Sequence, residues 1–188
     1  MKRLFIATKI TLSPVLLKTI AELKNGCRFD QMTWVAQDVT HLTLRFLGKT
    51  SDEQIPYILD AMRTAAGKHQ PIQLSLDKLG IFGSRYAPSI IWFGFQEFSI
   101  YKILFTDLEE ILTKIGFEAN HGNFVPHITL ARIKQVDNKK KFWKLIDDYQ
   151  NIESQFLNID HIALYQSKLS GNGPMYRELG ACQVGGSV

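Results

Sequence analysis

The chain has 188 residues, 45% of them hydrophobic and 21% charged. That balance excludes intrinsic disorder, collagen and coiled coil, and it supplies enough core for one domain, or two small lobes, without disulfide staples. A total of 22 Lys and Arg against 18 Asp and Glu leaves a net charge of +4, a mild excess that permits an anionic partner without demanding one. The cysteines, Cys27 and Cys182, form no Cys-x-x-Cys pair, which excludes a zinc knuckle or a thioredoxin-type motif, and they read as reduced thiols. The apolar run after Met1-Lys2-Arg3 stops at Lys9, too short for a secretory leader. No stretch approaches the ~20 apolar residues that cross a bilayer. A cytoplasmic protein with no membrane partner is expected.

Leu4 to Ile10 reads as a largely buried strand. Ser13-Pro14 then offers a helix cap followed by proline at the first helical position. The helix that follows carries Val15, Leu16, Thr19, Ile20 and Leu23 on one face and ends near Asn25-Gly26. Trp34-Val35 lead into Thr40 to Gly48, where apolar and polar residues alternate as in a half-buried strand. Ser51-Asp52-Glu53 opens a second helix with Ile55, Ile58, Leu59 and Met62. Pro71 to Leu79 and Ile90 to Phe95 read as strands, and Gly80 to Pro88 between them as a turn region holding Phe82, Arg85 and Tyr86. A third helix is predicted from about Ser99 to Lys114, with Ile100, Ile103, Leu104, Leu108, Ile111 and Leu112 as its apolar positions. Phe124 to Arg132 is strand-like, Asn138 to Tyr149 a basic helix, and Gln155 to Tyr165 with Met175 to Leu179 close the sheet. Gly185 to Val188 read as a frayed end. Helices and strands interleave throughout, giving an α+β or α/β class with no linker between independent domains.

One internal echo stands out. His41-Leu42-Thr43-Leu44-Arg45 is repeated as His127-Ile128-Thr129-Leu130-Ala131-Arg132, 86 residues later, with the arginine one position further on. In a strand, residues i and i+2 share a face, about 6.6 Å apart. His41 with Thr43 and His127 with Thr129 therefore project together, while Leu42, Leu44, Ile128 and Leu130 point inward. Two lobes facing each other across a cleft would line it with two imidazoles and two hydroxyls. Histidine titrates near neutrality, so the pair can act as general base and general acid at pH 7. Threonine suits a phosphate oxygen. No carboxylate occupies either motif, so a magnesium cage is not encoded there and no cofactor is expected. The chemistry that fits best is metal-free displacement at phosphorus; a zinc site using both histidines is the less favoured reading. His69, His121 and His161 lack the pattern and read as surface or structural.

These residues resemble the RNA 2′,3′-cyclic phosphodiesterases, the 2′-5′ RNA ligase-like family of the two-histidine phosphoesterases. The resemblance runs from Arg3-Leu4-Phe5-Ile6-Ala7 through Trp34-Val35, both His-x-Thr motifs and Leu164-Tyr165-Gln166-Ser167-Lys168-Leu169 to Tyr176-Arg177-Glu178-Leu179. It implies an α+β fold: a bilobal, pseudo-twofold pair of antiparallel sheets with helices on the outer faces and a central cleft. The chain would then be a single domain over residues 1–188, made of two interleaved lobes, one carrying His41-Thr43 and the other His127-Thr129. The implied reaction opens a terminal 2′,3′-cyclic phosphate to a 2′-phosphate, and some members also join RNA ends reversibly through a 2′-5′ linkage. Carried over by position, His41 and His127 are catalytic, and Thr43, Thr129 and Arg132 hold phosphate.

Simple alternation puts Arg45 on the face of His41 but Arg132 on the wrong face, so a bulge is needed to turn Arg132 toward phosphate. Phe46, Tyr86, Phe82 and Tyr176 are candidates to stack on a terminal base. Lys139-Lys140-Lys141 reads as a solvated helix face. RNA with cyclic-phosphate ends, or nucleotide cyclic phosphates, are the expected partners, and a monomer is expected. An enzyme acting on small nucleotides and a non-catalytic RNA-end-binding module stay open as alternatives.

Overall fold

The computed structural model describes residues 1–120, 122–170 and 173–186, with the backbone alone at residues 169, 170 and 173. His121 and the last two residues of the expected frayed end lie outside the described residues. The elements in order are β1 (Lys2–Lys9), α1 (Pro14–Gly26), β2 (Gln31–Trp34), β3 (His41–Thr50), α2 (Ile55–Ala66), β4 (Ile72–Gly83), β5 (Pro88–Gly94), α3 (Ser99–Lys114), β6 (His127–Gln135), α4 (Lys139–Asp148), β7 (Asn151–Ile159), β8 (His161–Ser170) and β9 (Gly173–Gln183). They build two antiparallel sheets, one in the order β3-β1-β8-β9 and the other β2-β6-β5-β4-β7. The class is α+β, as the resemblance implies. No helix among the described residues is long and apolar enough to cross a membrane.

Local chemistry sets the helix ends. Ser13 Oγ accepts the Leu16 amide ahead of Pro14 in α1. Ser51 and Gln54 cap each other's backbone before α2. Asn138 Oδ1 accepts the Lys141 amide at 3.0 Å to start α4. At the end of α3, Gly116 takes φ +95°, a left-handed conformation that glycine adopts without penalty, and this lets the Phe117 amide reach back to the Leu112 carbonyl at 3.0 Å. One hydrophobic core draws on both sheets and all four helices. α2 lies on β8 and β9, α3 packs on α2 and meets β4, and α1 lies on β7 with α4 beside it.

Several elements differ from the sequence reading. The turn expected over Gly80 to Pro88 is confined to Ser84–Ala87, because β4 runs on through Phe82 paired to β5. The apolar run Gln155 to Tyr165 is two strands in different sheets, broken at Asp160, whose carbonyl accepts the Val184 amide at 2.7 Å. Gln31–Trp34 is an edge strand rather than a lead-in. On α1 the buried face is Leu16 and Leu23, while Val15 is exposed. On α3, Leu104, Leu108 and Leu112 are buried as expected, but Ile100 and Ile103 face solvent, and Tyr101 and Phe105 complete the buried face.

Candidate active site

Burial fixes the two motif strands. Leu42, Leu44, Ile128 and Leu130 are at most 3% exposed, and each contributes roughly 1.5–3 kcal/mol by leaving water. A one-residue slip would exchange them with polar neighbours, so the register is held and His41, Thr43, His127 and Thr129 stay half-buried on the opposite faces. β3 and β6 belong to different sheets but pass close to one another, which brings the two motifs together.

Both histidines are anchored alike. His41 Nδ1 lies 2.8 Å from the Val39 carbonyl, and His127 Nδ1 lies 2.8 Å from the Val125 carbonyl. A carbonyl only accepts, so Nδ1 carries the proton in each ring and Nε2 is the atom left to give or take one. Burial pushes both imidazoles below the ordinary histidine value, against the opposing effect of the carbonyl bonds; the Arg132 charge depresses both further, and His127 adds to the depression at His41.

The arginines change places relative to plain alternation. In the β5–β6 ladder, Ile91 pairs with Ala131 and Trp92 with Thr129, so Leu130 is an extra residue, a bulge. Its carbonyl accepts the Val35 amide at 2.8 Å. The bulge leaves Leu130 and Ala131 both buried and turns Arg132 to the open side. Arg132 is thus the cation whose field reaches His41, His127 and Tyr176.

The first motif bulges at the matching leucine: Ile6 pairs with Arg45 and Ala7 with Thr43, skipping Leu44. That corrects the expected position of Arg45. Its guanidinium turns away from His41 to pair with Glu109 of α3, and it donates to the carbonyls of Phe46 (2.9 Å) and Glu118 (2.6 Å). The residue five places after the histidine emerges in each copy, and in the first copy it is Phe46, 60% exposed.

Each histidine sits in an aromatic mount of its own. On the first sheet, buried Phe5 is the hub, with ring centroids 5.0 Å from His41, 5.9 Å from Phe46, 5.5 Å from Tyr165 and 4.9 Å from Tyr176. Tyr176 also meets His41 edge-on at 5.0 Å. On the second sheet, His127 meets Phe82 edge-on at 4.7 Å and Trp92 at 6.4 Å. Trp92 lies across two glycines: a Cβ built on Gly80 would stand 2.1 Å from its Cζ2, and one on Gly94 would stand 2.5 Å from its Cζ3. Those missing side chains let the indole lie flat as a floor beneath Phe82 and His127. Among the described residues neither histidine's Nε2 makes a hydrogen bond, and two such imidazoles, together with hydroxyls and a guanidinium, are groups chemically able to bind a phosphodiester and move protons at its oxygens.

Residues 11–92 and 103–176 match the family model described as LigT like Phosphoesterase. The chain belongs to the LigT-like phosphoesterase family. It is similar to an RNA 2′,3′-cyclic phosphodiesterase of Methanocaldococcus jannaschii, 31% identical over 93% of this chain and 96% of the relative. Among solved structures it is similar to a Thermus thermophilus protein, TM-score 0.77 at 24% identity over 98% of both chains. Escherichia coli LigT in apo form gives a TM-score of 0.69 at 23% identity over 97% of this chain and 96% of that one.

Within this LigT-like chain, sequence reasoning missed Phe5, Trp92, Gly80 and Gly94. A signal was present for three of them. Isolated glycines in apolar strands mark close approach: Gly80 pairs with Trp92 across the hairpin, and Gly94 lies two residues beyond Trp92 on the same strand. Of the four aromatics suggested for stacking, Phe82 is part of the His127 mount, Tyr176 and Phe46 line the His41 side, and Tyr86 stands apart at the β4–β5 tip.

Proposed function

We propose that the protein hydrolyses RNA 2′,3′-cyclic phosphate ends to 2′-phosphates by two-histidine acid–base catalysis, without a metal ion. Residues 1–188 act in this reading as one domain of two interleaved lobes. The observation that carries it is the matched pair of Nδ1-anchored imidazoles, one from each sheet, with Arg132 electrostatically coupled to both. The name carried by the M. jannaschii relative supports the substrate class.

The cleft is asymmetric in a useful way. Both histidines have aromatic neighbours, but the residue five places on differs: exposed Phe46 on the strand of His41, where Tyr176 also meets the imidazole, and exposed Arg132 on the strand of His127. A terminal nucleoside stacked on Phe46 and Tyr176 carries O3′ with it. His41 Nε2 then stands on the leaving-group side and His127 Nε2 on the side of the attacking water. Water's oxygen attacks phosphorus while His127 takes its proton; the P–O3′ bond breaks and His41 gives its proton to O3′. The products are a 2′-phosphate and a free 3′-hydroxyl, and the two imidazoles exchange protonation states and reset through solvent. Thr43, Thr129 and Arg132 hold the non-bridging oxygens. The depressed values suit a neutral base, and the bound phosphodiester's negative charge favours the protonated acid. Ligation is the same step with an RNA 5′-hydroxyl in the place of water.

The test is incubation with RNA bearing a 2′,3′-cyclic end, alone, with chelator, and with a 5′-hydroxyl RNA. Phosphorus NMR of the product is expected to give a 2′-phosphate at an unchanged rate in chelator. A 3′-phosphate contradicts the leaving-group assignment, and loss of activity in chelator contradicts the metal-free step. Turnover of cyclic mononucleotides with none of RNA ends would favour the small-nucleotide alternative. Binding without turnover of either would favour the non-catalytic module.

A further inference from the structure

The hairpin joining β4 and β5 touches two different chemistries. At one end Phe82 abuts His127. At its tip Tyr86 is 85% exposed, yet the tip is tied down. Ser84 and Ala87 close it with reciprocal backbone bonds of 3.2 and 3.1 Å. Lys139 Nζ donates to the Tyr86 carbonyl at 2.8 Å, and Trp143 Nε1 donates to the Arg85 carbonyl at 3.1 Å. The Arg85 guanidinium lies 5.2 Å from the Trp143 ring centre and 4.0 Å from Asp147. A turn held this firmly to α4 displays an aromatic ring that contributes almost nothing to the core.

The surroundings of that ring are cationic. Lys139, Lys140 and Lys141 are exposed at the start of α4, and none of the three forms an ion pair among the described residues. Exposed Arg132 and Lys134 of β6 lie between the histidine and this cluster. β5 runs antiparallel beside β6, with Gly94 opposite His127 and Ile90 opposite Arg132, so the hairpin tip lies beyond Arg132 along the same track. From His127 to Gln135 that track is roughly 25 Å long.

We infer that this strip, Lys134, Lys139, Lys140 and Lys141 with Tyr86, binds the single-stranded RNA that leads up to the reacting end. The lysines pair with successive phosphates, and Tyr86 stacks on an unpaired base. A duplex keeps its bases stacked on one another and offers none to such a ring, so a single strand is the matching polyanion. The inference rests on the phosphodiesterase reading and deepens it: the preferred substrate is an RNA strand several nucleotides long, rather than a free cyclic nucleotide.

The experiment compares wild type, Lys140→Ala/Lys141→Ala and Tyr86→Ala on an RNA octamer ending in a 2′,3′-cyclic phosphate and on the matching cyclic mononucleotide. Wild type is expected to have a KM for the octamer about tenfold or more below that for the mononucleotide. The lysine variant raises the octamer KM and flattens its log–log salt dependence by about 1.4, two phosphate contacts on a single strand. Tyr86→Ala raises it by roughly fivefold to a hundredfold. Mononucleotide kcat/KM stays within about twofold in both variants, a change typical of remote surface substitutions. Equal KM values for the two substrates in wild type, or variants that impair both alike, overturn the inference. Fluorescence anisotropy with an octamer ending in a 2′-phosphate reads the strip without turnover. Weaker binding in the variants supports the strip even if wild type hydrolyses nothing, which would count against the phosphodiesterase reading alone; unchanged binding overturns the strip.

Discussion

Gly80→Ala places a methyl group inside the Trp92 indole. The added Cβ would stand 2.1 Å from Cζ2, 2.3 Å from Cη2 and 2.5 Å from Cε2, where carbon atoms need about 3.5 Å or more. The ring must therefore retreat by more than ~1 Å, and the rings of Phe82 at 5.1 Å and His127 at 6.4 Å lie next to it. Overpacking of this kind costs about 1–3 kcal/mol of stability. A catalytic group displaced by about 1 Å loses on the order of a hundredfold in rate. The assay is kcat/KM on a cyclic mononucleotide, at a temperature where thermal unfolding finds the variant folded. A roughly hundredfold loss in folded protein is expected, with partial recovery when Trp92→Phe is added to relieve the clash. Full activity in the folded Gly80→Ala variant would refute the argument that the Trp92 floor positions His127.

Four further outcomes follow from the structure. Because burial and Arg132 hold both imidazoles below the usual histidine value, the kcat/KM optimum of the wild type should lie below about pH 6.5. Arg132→Gln should move that optimum upward as both imidazoles rise, and should lower kcat/KM about tenfold to a hundredfold through the lost charge-assisted contact; an unmoved profile would remove Arg132 from the cleft. Arg45→Ala should behave oppositely. Its pairing with Glu109, each side chain 14% exposed, makes it structural, so the melting temperature should fall with a loss of about 2–3 kcal/mol while kcat/KM stays near wild type; a large loss of turnover without destabilisation would contradict its turning away from His41. Burial pushes the Cys27 thiol up to about 12 and the Cys182 thiol up to about 11, so a thiol reagent at pH 8 should modify the native protein far more slowly than the unfolded chain.

What was legible in the sequence was periodic or local. The alternation of His41-Leu42-Thr43-Leu44 and its echo separated the core-facing leucines and isoleucine from the half-buried histidines and threonines, because period-two burial is a direct consequence of strand geometry. The cap at Ser13-Pro14 and the opening at Ser51 were equally direct, since a local side-chain oxygen accepts a helix-end amide and proline at the first position has no N–H to satisfy. The bulges at Leu44 and Leu130 were not legible as such, because an extra residue in a ladder depends on the partner strand. Their trace was nevertheless present: the arginine falls one position later in the second motif, and the structure turns that offset into Arg45 packed on α3 and an exposed Arg132 whose charge acts on both histidines. Gly80 read as a turn glycine because glycine serves both turns and close approach; only the position of Trp92 across the hairpin separates the two. The break at Asp160 carried no glycine or proline, so two strands of different sheets read as one.

Single-turnover hydrolysis of a 2′,3′-cyclic-phosphate RNA by wild type, His41→Ala and His127→Ala tests the two-histidine mechanism most directly. Each variant should lose about two to four orders of magnitude in the chemical step while remaining folded and still binding the RNA end. Near-normal turnover by either folded variant would contradict the account.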